Sequence, residues 1–104
     1  MAGPQSQSFK PGVSKKLTVT ATSSRVALDF TGILPPHQVR VVVDGTDNAY
    51  IAFGDVTVEA AATDIFVLTG MTEVFSVPPG TTYVAAIDDA AGGCAVYLTS
   101  GNGM

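Results

Sequence analysis

The side chains that could do chemistry are few, and most of them are carboxylates in turns. Asp44, Asp47 and Asn48 lie close together in the chain, and Asp88 and Asp89 are adjacent. Such oxygen-rich loops could bind calcium, but neither has the alternating ligand spacing of a calcium-binding loop. Aspartate and asparagine also favour turns, because their side chains accept hydrogen bonds from nearby backbone amides. We therefore expect turn-forming roles here and no metal site.

The other reactive side chains are isolated in the sequence. The single histidine, His37, follows two prolines, and the single cysteine, Cys94, has no basic neighbour that would lower its pKa. One histidine and one cysteine also fall short of the roughly four ligands of a structural zinc site. The glycine pair at 92–93 lacks the lysine and hydroxyl residues of a phosphate-binding loop. Because no nucleophile–base pair can be assembled, we predict that the protein is not an enzyme and has no cofactor.

Charge is distributed unevenly along the 104 residues. All five basic residues lie in the first 40 positions, and eight of the nine acidic residues follow them. The net charge of −4 disfavours nucleic-acid binding, which needs a basic surface. The asymmetry predicts that a basic segment meets an acidic surface on a neighbouring subunit or a partner. An uneven split by chance is the alternative.

Composition indicates one globular domain with part of its surface covered by another molecule. Apolar residues make up 46% of the chain and charged residues 13%, which leaves many small neutral side chains on the surface. No apolar run approaches the roughly 18 residues of a membrane span, and the N-terminus has no signal-peptide pattern. We therefore expect no membrane partner.

The chain has the pattern of short strands separated by glycine, proline and polar turns. Residues 17–22 alternate apolar and hydroxyl side chains, and residues 38–43 are rich in β-branched valine. Residues 44–48 supply turn residues before the apolar run 49–53, so a β-hairpin is predicted there. Residues 56–59 alternate as well and predict a further short strand.

Further strands are predicted over residues 25–28, 64–68, 73–77, 82–87 and 95–99. About eight strands without a convincing helix predict an all-β fold, a single small β-sandwich or jelly-roll-like barrel. Residues 1–15 contain two prolines and two glycines and predict an extended N-terminal arm before a β-sandwich domain over 16–104. The strand aromatics are expected mostly in the core: Tyr50, Phe53, Phe66, Phe75, Tyr83 and Tyr97.

Several packing and turn motifs carry a resemblance that covers most of residues 17–104. They are residues 20–28 (TATSSRVAL), 39–42 (VRVV), 49–55 (AYIAFGD), 73–87 (EVFSVPPGTTYVAAI) and 96–104 (VYLTSGNGM). In these motifs the chain resembles a family of small proteins encoded among the structural genes of tailed phages and prophages. Such motifs identify a lineage better than an activity. Residues 1–16 depart from the family pattern.

The resemblance implies a virion protein, made in the host cytoplasm and located on the capsid surface. We expect a capsid decoration (cement) protein whose β domain and N-terminal arm bind the major capsid protein and stabilise the shell. In the arm, Phe9 is the expected apolar anchor, and Lys10, Lys15 and Lys16 are expected to bind shell carboxylates. A homo-oligomer is expected, with a trimer favoured, since closed symmetry is the rule. The alternative is a tail- or fibre-associated β-sandwich module that binds host-surface carbohydrate or another virion protein.

Overall fold

A computed structural model describes residues 9–33, 35–90 and 92–103, with the backbone alone at positions 9, 10 and 103. The strands are β1 (Phe9–Val19), β2 (Ser24–Ala27), β3 (His37–Gly45), β4 (Ala49–Gly54), β5 (Ile65–Val67), β6 (Thr72–Ser76), β7 (Tyr83–Asp88) and β8 (Cys94–Gly103). The predicted all-β class with about eight strands is confirmed. A search of these residues for a helix long and apolar enough to cross a membrane found none.

The strands form two four-stranded antiparallel sheets that enclose one core. The first sheet has the order β1-β8-β3-β6, and the second has the order β2-β7-β4-β5. Most strands that follow one another in the chain therefore lie in opposite sheets. This order is that of a jelly roll, a two-sheet sandwich built from Greek keys. The jelly-roll-like sandwich predicted from the strand spacing is confirmed.

The hairpin predicted between residues 38–43 and 49–53 is wrong. β3 pairs with β8 and β6 in the first sheet, whereas β4 pairs with β7 and β5 in the second. Val41 of β3 and Ile51 of β4 are both fully buried in the shared core. The turn between the strands therefore carries the chain from one sheet to the other. The alternating pattern of the two strands does not distinguish a hairpin within one sheet from two strands in opposite sheets, because each strand buries one face in both cases.

The core is aliphatic, whereas the aromatic side chains lie at its margin. Its buried members are Leu17, Val19, Val39, Val41, Val43, Ala49, Ile51, Val67, Val84, Ala86, Cys94, Val96 and Leu98. Phe53 and Phe75 are only partly buried, and their ring centroids lie 5.8 Å apart in an edge-on arrangement. Phe66 and Tyr97 are 45% and 38% exposed. The expectation that the aromatics are mostly core residues is therefore wrong. β-Branched valines, which are stiff at χ1, fill the space between the sheets instead.

Residues 56–59, predicted as a strand, belong instead to the connection between β4 and β5. The carboxylate of Asp55 accepts hydrogen bonds from the backbone amide and hydroxyl of Thr57, at 2.9 and 2.6 Å. These bonds close a turn directly after β4. The local hydrogen bonds of Asp55 thus favour a turn over the strand that the alternating residues 56–59 predict.

The same connection lies over the outer face of the second sheet. Val58 packs against Gly54, where an added Cβ would come within 2.8 Å of the Val58 Cβ. The backbone amide of Ala60 donates to the hydroxyl of Ser23, which precedes β2, at 2.8 Å. Ala85 of β7 has no exposed surface although its register places it on the outer face. The connection thus shields this face.

Residues 9–15, predicted as part of an extended arm, form the first part of β1. They pair with β8 in the first sheet, and the register shifts between Pro11 and Ser14. The extra residue there makes a β-bulge, and an edge strand with a bulge tolerates a proline that cannot donate. Residues 1–8 lie outside the described residues. The predicted division of the chain at residue 15 falls within a strand, and an arm outside the sandwich stays a prediction for residues 1–8.

Candidate functional site

Three carboxylates from two distant parts of the sequence converge at one end of the sandwich. Asp47 lies in the turn after β3, Asp88 ends β7, and Asp89 follows it. A carboxylate oxygen from each of them lies within 4.8 Å of the others. We call this group, with the amides that bind it, the acidic loop cluster. It unites the two oxygen-rich loops that the sequence shows separately.

The carboxylates of Asp47 and Asp88 accept hydrogen bonds from the backbone of the loop between β7 and β8. One Asp47 oxygen accepts from the amides of Gly92 and Gly93, at 2.6 and 2.9 Å. Asp88 accepts from Ala90 at 3.0 Å through one oxygen and from Gly93 at 2.6 Å through the other. Two carboxylates thus satisfy the amides of one glycine-rich loop, and they anchor it to the turn after β3.

Asp89 extends the acidic loop cluster to a third segment through Asn48. Its two carboxylate oxygens accept from the backbone amide and the side-chain amide of Asn48, each at 3.0 Å. The side-chain oxygen of Asn48 accepts from the amide of Thr69, at 2.9 Å. The hydroxyl of Thr69 donates to the carbonyl of Gly45, at 2.8 Å. The turn after β3, the β5–β6 connection and the β7–β8 loop are therefore tied together.

These hydrogen bonds determine the electrostatics of the buried member, Asp88, which is 7% exposed. Burial alone would raise its pKa, but the amide hydrogen bonds from Ala90 and Gly93, with the Asp47 side chain, lower the pKa below the ordinary value. Asp88 is thus a carboxylate at neutral pH that stabilises the loop. Three oxygen donors would suit a hard cation, but the oxygens described above already bind amides. We assign the cluster a structural role, in line with the turn-forming role expected for these residues.

The single histidine and the single cysteine have structural environments as well. The His37 ring stacks on Phe30 with the ring centroids 4.2 Å apart, and its Nε2 lies 2.9 Å from the carbonyl oxygen of Ile33. Cys94 is buried, and burial together with the charges of Asp88 and the other two aspartates raises its pKa to about 11. A thiol with that pKa is protonated at neutral pH and is a poor nucleophile.

Four residues carry the partner-binding prediction, and the structure describes the side chains of two of them. Phe9 and Lys10 pair with β8 through their backbone, and their side chains lie outside the described residues. Lys15 is half-buried, and its charge contributes to the lowered pKa of Asp29 after the larger effect of hydrogen bonds from Thr31. Binding of a partner by these residues stays a prediction.

Lys16 lies on the outer face of the first sheet, and β1 and β2 form one open side of the sandwich. The Lys16 ammonium lies 5.8 Å from the centroid of the Tyr97 ring, within range of a cation–π interaction. β1 is an edge of the first sheet, β2 is an edge of the second, and the two strands contact each other. We call this side the basic flank. Its described cationic side chains are Lys15, Lys16 and Arg25.

The opposite side of the sandwich, formed by the edge strands β5 and β6, exposes large apolar side chains. Between 40% and 50% of each of these side chains is exposed: Ile65, Phe66, Leu68, Met71 and Val74. Phe66 also packs on Tyr50, with the ring centroids 5.0 Å apart. We call this side the apolar flank. The apolar flank was not predicted from the sequence. The unbroken apolar run at 65–68 was a usable signal for it, since an edge strand buries only part of such a run, and only Val67 of this one is buried.

Comparisons with known proteins support the fold and leave the lineage open. No family model matches this chain, and no curated protein matches it. Its structure is similar to that of a protein from the disulfide-linked pili that form Bacillus endospore appendages, with a TM-score of 0.54 and 20% sequence identity. The match covers 100% of this chain and 97% of the other. At this identity the likeness shows the fold alone, and the resemblance to phage structural proteins stays a prediction.

The disulfide linkage of those pili sets the two proteins apart. The 104 residues here contain one cysteine. That one, Cys94, is buried.

Proposed function

We propose that the protein is a structural subunit of a phage particle, a capsid decoration protein that binds the major capsid protein and stabilises the shell. One observation carries the proposal most strongly. The carboxylates of the acidic loop cluster, His37 and Cys94 serve the fold. Most of the large exposed apolar side chains and three of the four described cationic side chains lie on the two open flanks. Reactive side chains that stabilise the fold, together with exposed side chains along open strand edges, suit a protein whose surface binds macromolecules.

The fold likeness adds support for an assembly subunit. In the Bacillus protein, a sandwich of the same fold belongs to a pilus, which is an assembly of many copies. On a capsid, many copies on a symmetric lattice would compensate for weak binding at a single site. Lys15 and Lys16 lie on the edge strand β1, with Phe9 and Lys10 in the same strand, and in this proposal the lysines bind shell carboxylates. The sandwich would bridge neighbouring shell subunits.

The direct test is the composition of purified particles. Mature heads are isolated from a lysate of a tail-deficient phage mutant, and the copy number of this protein relative to the major capsid protein is measured by quantitative mass spectrometry. The proposal predicts a fixed ratio in tail-free heads. Presence in isolated tails and absence from heads would overturn it in favour of the tail- or fibre-associated alternative. The next assay for that alternative is glycan binding by the exposed Phe66 and the half-buried Tyr50 that packs on it.

A second experiment tests the residues predicted to bind the shell. Deletion of residues 1–15 would remove part of β1 and confuse folding with binding, so the sharper variants are deletion of residues 1–8 and the pair Lys15→Glu with Lys16→Glu. Arg40→Glu, which reverses an exposed cation on the central strand β3, is the matched control. We expect reduced occupancy on decoration-free heads for the first two variants and full occupancy for the control. Full occupancy for all three would contradict the arm and β1 as the binding segment.

A further inference from the structure

The two flanks of the sandwich are complementary to each other. The apolar flank consists of the edge strands β5 and β6 with their five exposed apolar side chains, and its charged residues are Asp64 and Glu73. The basic flank consists of the edge strands β1 and β2 with Lys15, Lys16 and Arg25. We propose that the apolar flank of one copy binds the basic flank of a second copy, so that both sheets continue from subunit to subunit in a head-to-tail row.

Strand direction supports this arrangement. Neighbouring strands are antiparallel throughout each sheet, and each sheet has four strands. In an antiparallel sheet with an even number of strands, the two edge strands run in opposite directions. Simple translation of a second copy along the sheets therefore places its β1 antiparallel to β6 and its β2 antiparallel to β5. Both new strand pairs have the geometry that antiparallel pairing needs, without rotation of the second copy.

Strand length supports it as well. The regular part of β1 beyond its bulge runs over residues 14–19, and β6 has five residues. β2 has four residues and β5 has three. Each pair of edges is thus matched in length to within one residue. The bulge lies in the first part of β1, which extends beyond the length of β6. It therefore does not disrupt the proposed pairing of β1 with β6.

Charge disfavours a symmetric pairing of two basic flanks. Two basic flanks brought together would oppose Lys15 and Lys16 to their own copies, and like charges on adjacent edges are destabilising. A basic flank opposite an apolar flank instead brings the lysines of β1 toward Glu73 of β6, and Arg25 of β2 toward Asp64 beside β5. The lysine stems can also cover exposed apolar surface while the ammonium groups stay hydrated. A heterologous contact of this kind builds a ring if its rotation closes and a filament if it does not.

The proposal goes beyond the capsid function and does not depend on it, because it concerns contacts between copies of this chain. The test uses the full chain at concentrations up to about 1 mM, where even a weak association is visible by sedimentation velocity. The first variant is Leu68→Asp, on the apolar flank. Its matched control is Val56→Asp, on the β4–β5 connection, because Leu68 and Val56 are 49% and 54% exposed. Phe66→Ser provides a second apolar-flank variant with no added charge.

We expect concentration-dependent oligomers from the unaltered chain and from Val56→Asp. Leu68→Asp and Phe66→Ser should weaken association at least tenfold. The pair Lys15→Glu with Lys16→Glu should weaken it by a similar factor. Circular dichroism melting curves confirm that each variant is folded. A monomeric unaltered chain at every concentration, or equal loss in Val56→Asp, would overturn the proposal.

A mixing experiment then tests the head-to-tail arrangement. The Leu68→Asp variant retains an intact basic flank, and the double lysine variant retains an intact apolar flank. Each variant alone should stay monomeric, and an equimolar mixture should form dimers that grow no further. If the double lysine variant alone forms dimers through its own apolar flank, the interface is symmetric and the head-to-tail proposal is wrong. Self-assembly without head binding would overturn the capsid function alone, and head binding by a monomer would overturn this inference alone.

Discussion

The acidic loop cluster and the apolar flank reverse the usual roles of polar and apolar side chains. In the cluster, the buried Asp88 and the half-buried Asp47 accept hydrogen bonds from backbone amides, and together with the exposed Asp89 and with Asn48 they hold three loops together. At the flank, large apolar side chains lie on the surface and add little to the core. The comparison indicates that polar residues here serve the fold, whereas exposed apolar residues are available for assembly.

The strongest test of this comparison removes the buried carboxylate. Asp88→Ala leaves the amide of Ala90 without its acceptor, and leaves the amide of Gly93 with Asp47 as its one remaining acceptor, in a partly buried loop. We expect a loss of about 3 kcal/mol in the free energy of unfolding, measured by urea denaturation. Asp44→Ala is the control, because Asp44 is an exposed aspartate of the same turn region, and its loss should change stability by less than about 0.5 kcal/mol. Equal losses of unfolding free energy in both variants would contradict a special role of the cluster in stability.

A smaller loss is expected when the link to the β5–β6 connection is cut. Asn48→Ala removes the side-chain hydrogen bonds to Asp89 and Thr69 but keeps the backbone bond from position 48. The expected cost is about 1–2 kcal/mol in the free energy of unfolding, by the same urea measurement. A cost equal to that of Asp88→Ala would mean that the three segments fold as one unit. No cost would mean that the Asn48 bonds are not formed in solution.

Acid should weaken the cluster in a defined direction. The pKa of Asp88 is lowered in the folded protein, so its stabilising contribution is complete above the unfolded-state pKa of about 3.9. That contribution is lost as pH falls through the lower folded-state pKa, because protonation removes the acceptor. The free energy of unfolding should therefore fall between pH 5 and pH 2.5 by more in the unaltered chain than in Asp88→Asn. Parallel pH profiles for the two proteins would contradict the assignment.

The smallest effect on stability is expected at the apolar flank. Leu68→Ser replaces a side chain that is about half exposed, so little apolar burial is lost on folding. We expect the free energy of unfolding in dilute solution to change by less than about 0.5 kcal/mol. For contrast, Ile51→Ala in the core should cost about 2–5 kcal/mol. A large cost for Leu68→Ser would show that the flank serves the fold after all.

Local patterns predicted the strands well because strand formation depends on local alternation. The valine-rich run of β3 and the alternation of residues 17–19 in β1 both appear in the structure as predicted. Pairing was not predictable in the same way. The sequence predicts a hairpin turn between β3 and β4, but β3 pairs with β8 and β4 pairs with β7. Pairing partners are determined by the whole core, which a local pattern does not contain.

The candidate sites were predictable only in part. The turn-forming role of the aspartates followed from residue type. The proximity of Asp47 and Asp88 instead depends on the convergence of two loops that are separated in the chain by the four strands β4 to β7. The exposure of Phe66 was not predictable from its type, because an aromatic residue on a strand is more often buried. Its position on an edge strand, which the sequence does not reveal, explains the difference.

Hydrogen exchange on the assembled protein tests the central comparison most directly. Amide exchange is measured by mass spectrometry for the dilute chain and for the same chain at a concentration where sedimentation shows oligomers. The account predicts added protection in residues 64–76 of the apolar flank and 14–28 of the basic flank, with no change in the acidic loop cluster at 46–48 and 88–93. Added protection confined to the acidic loop cluster, or none in either flank, would contradict it.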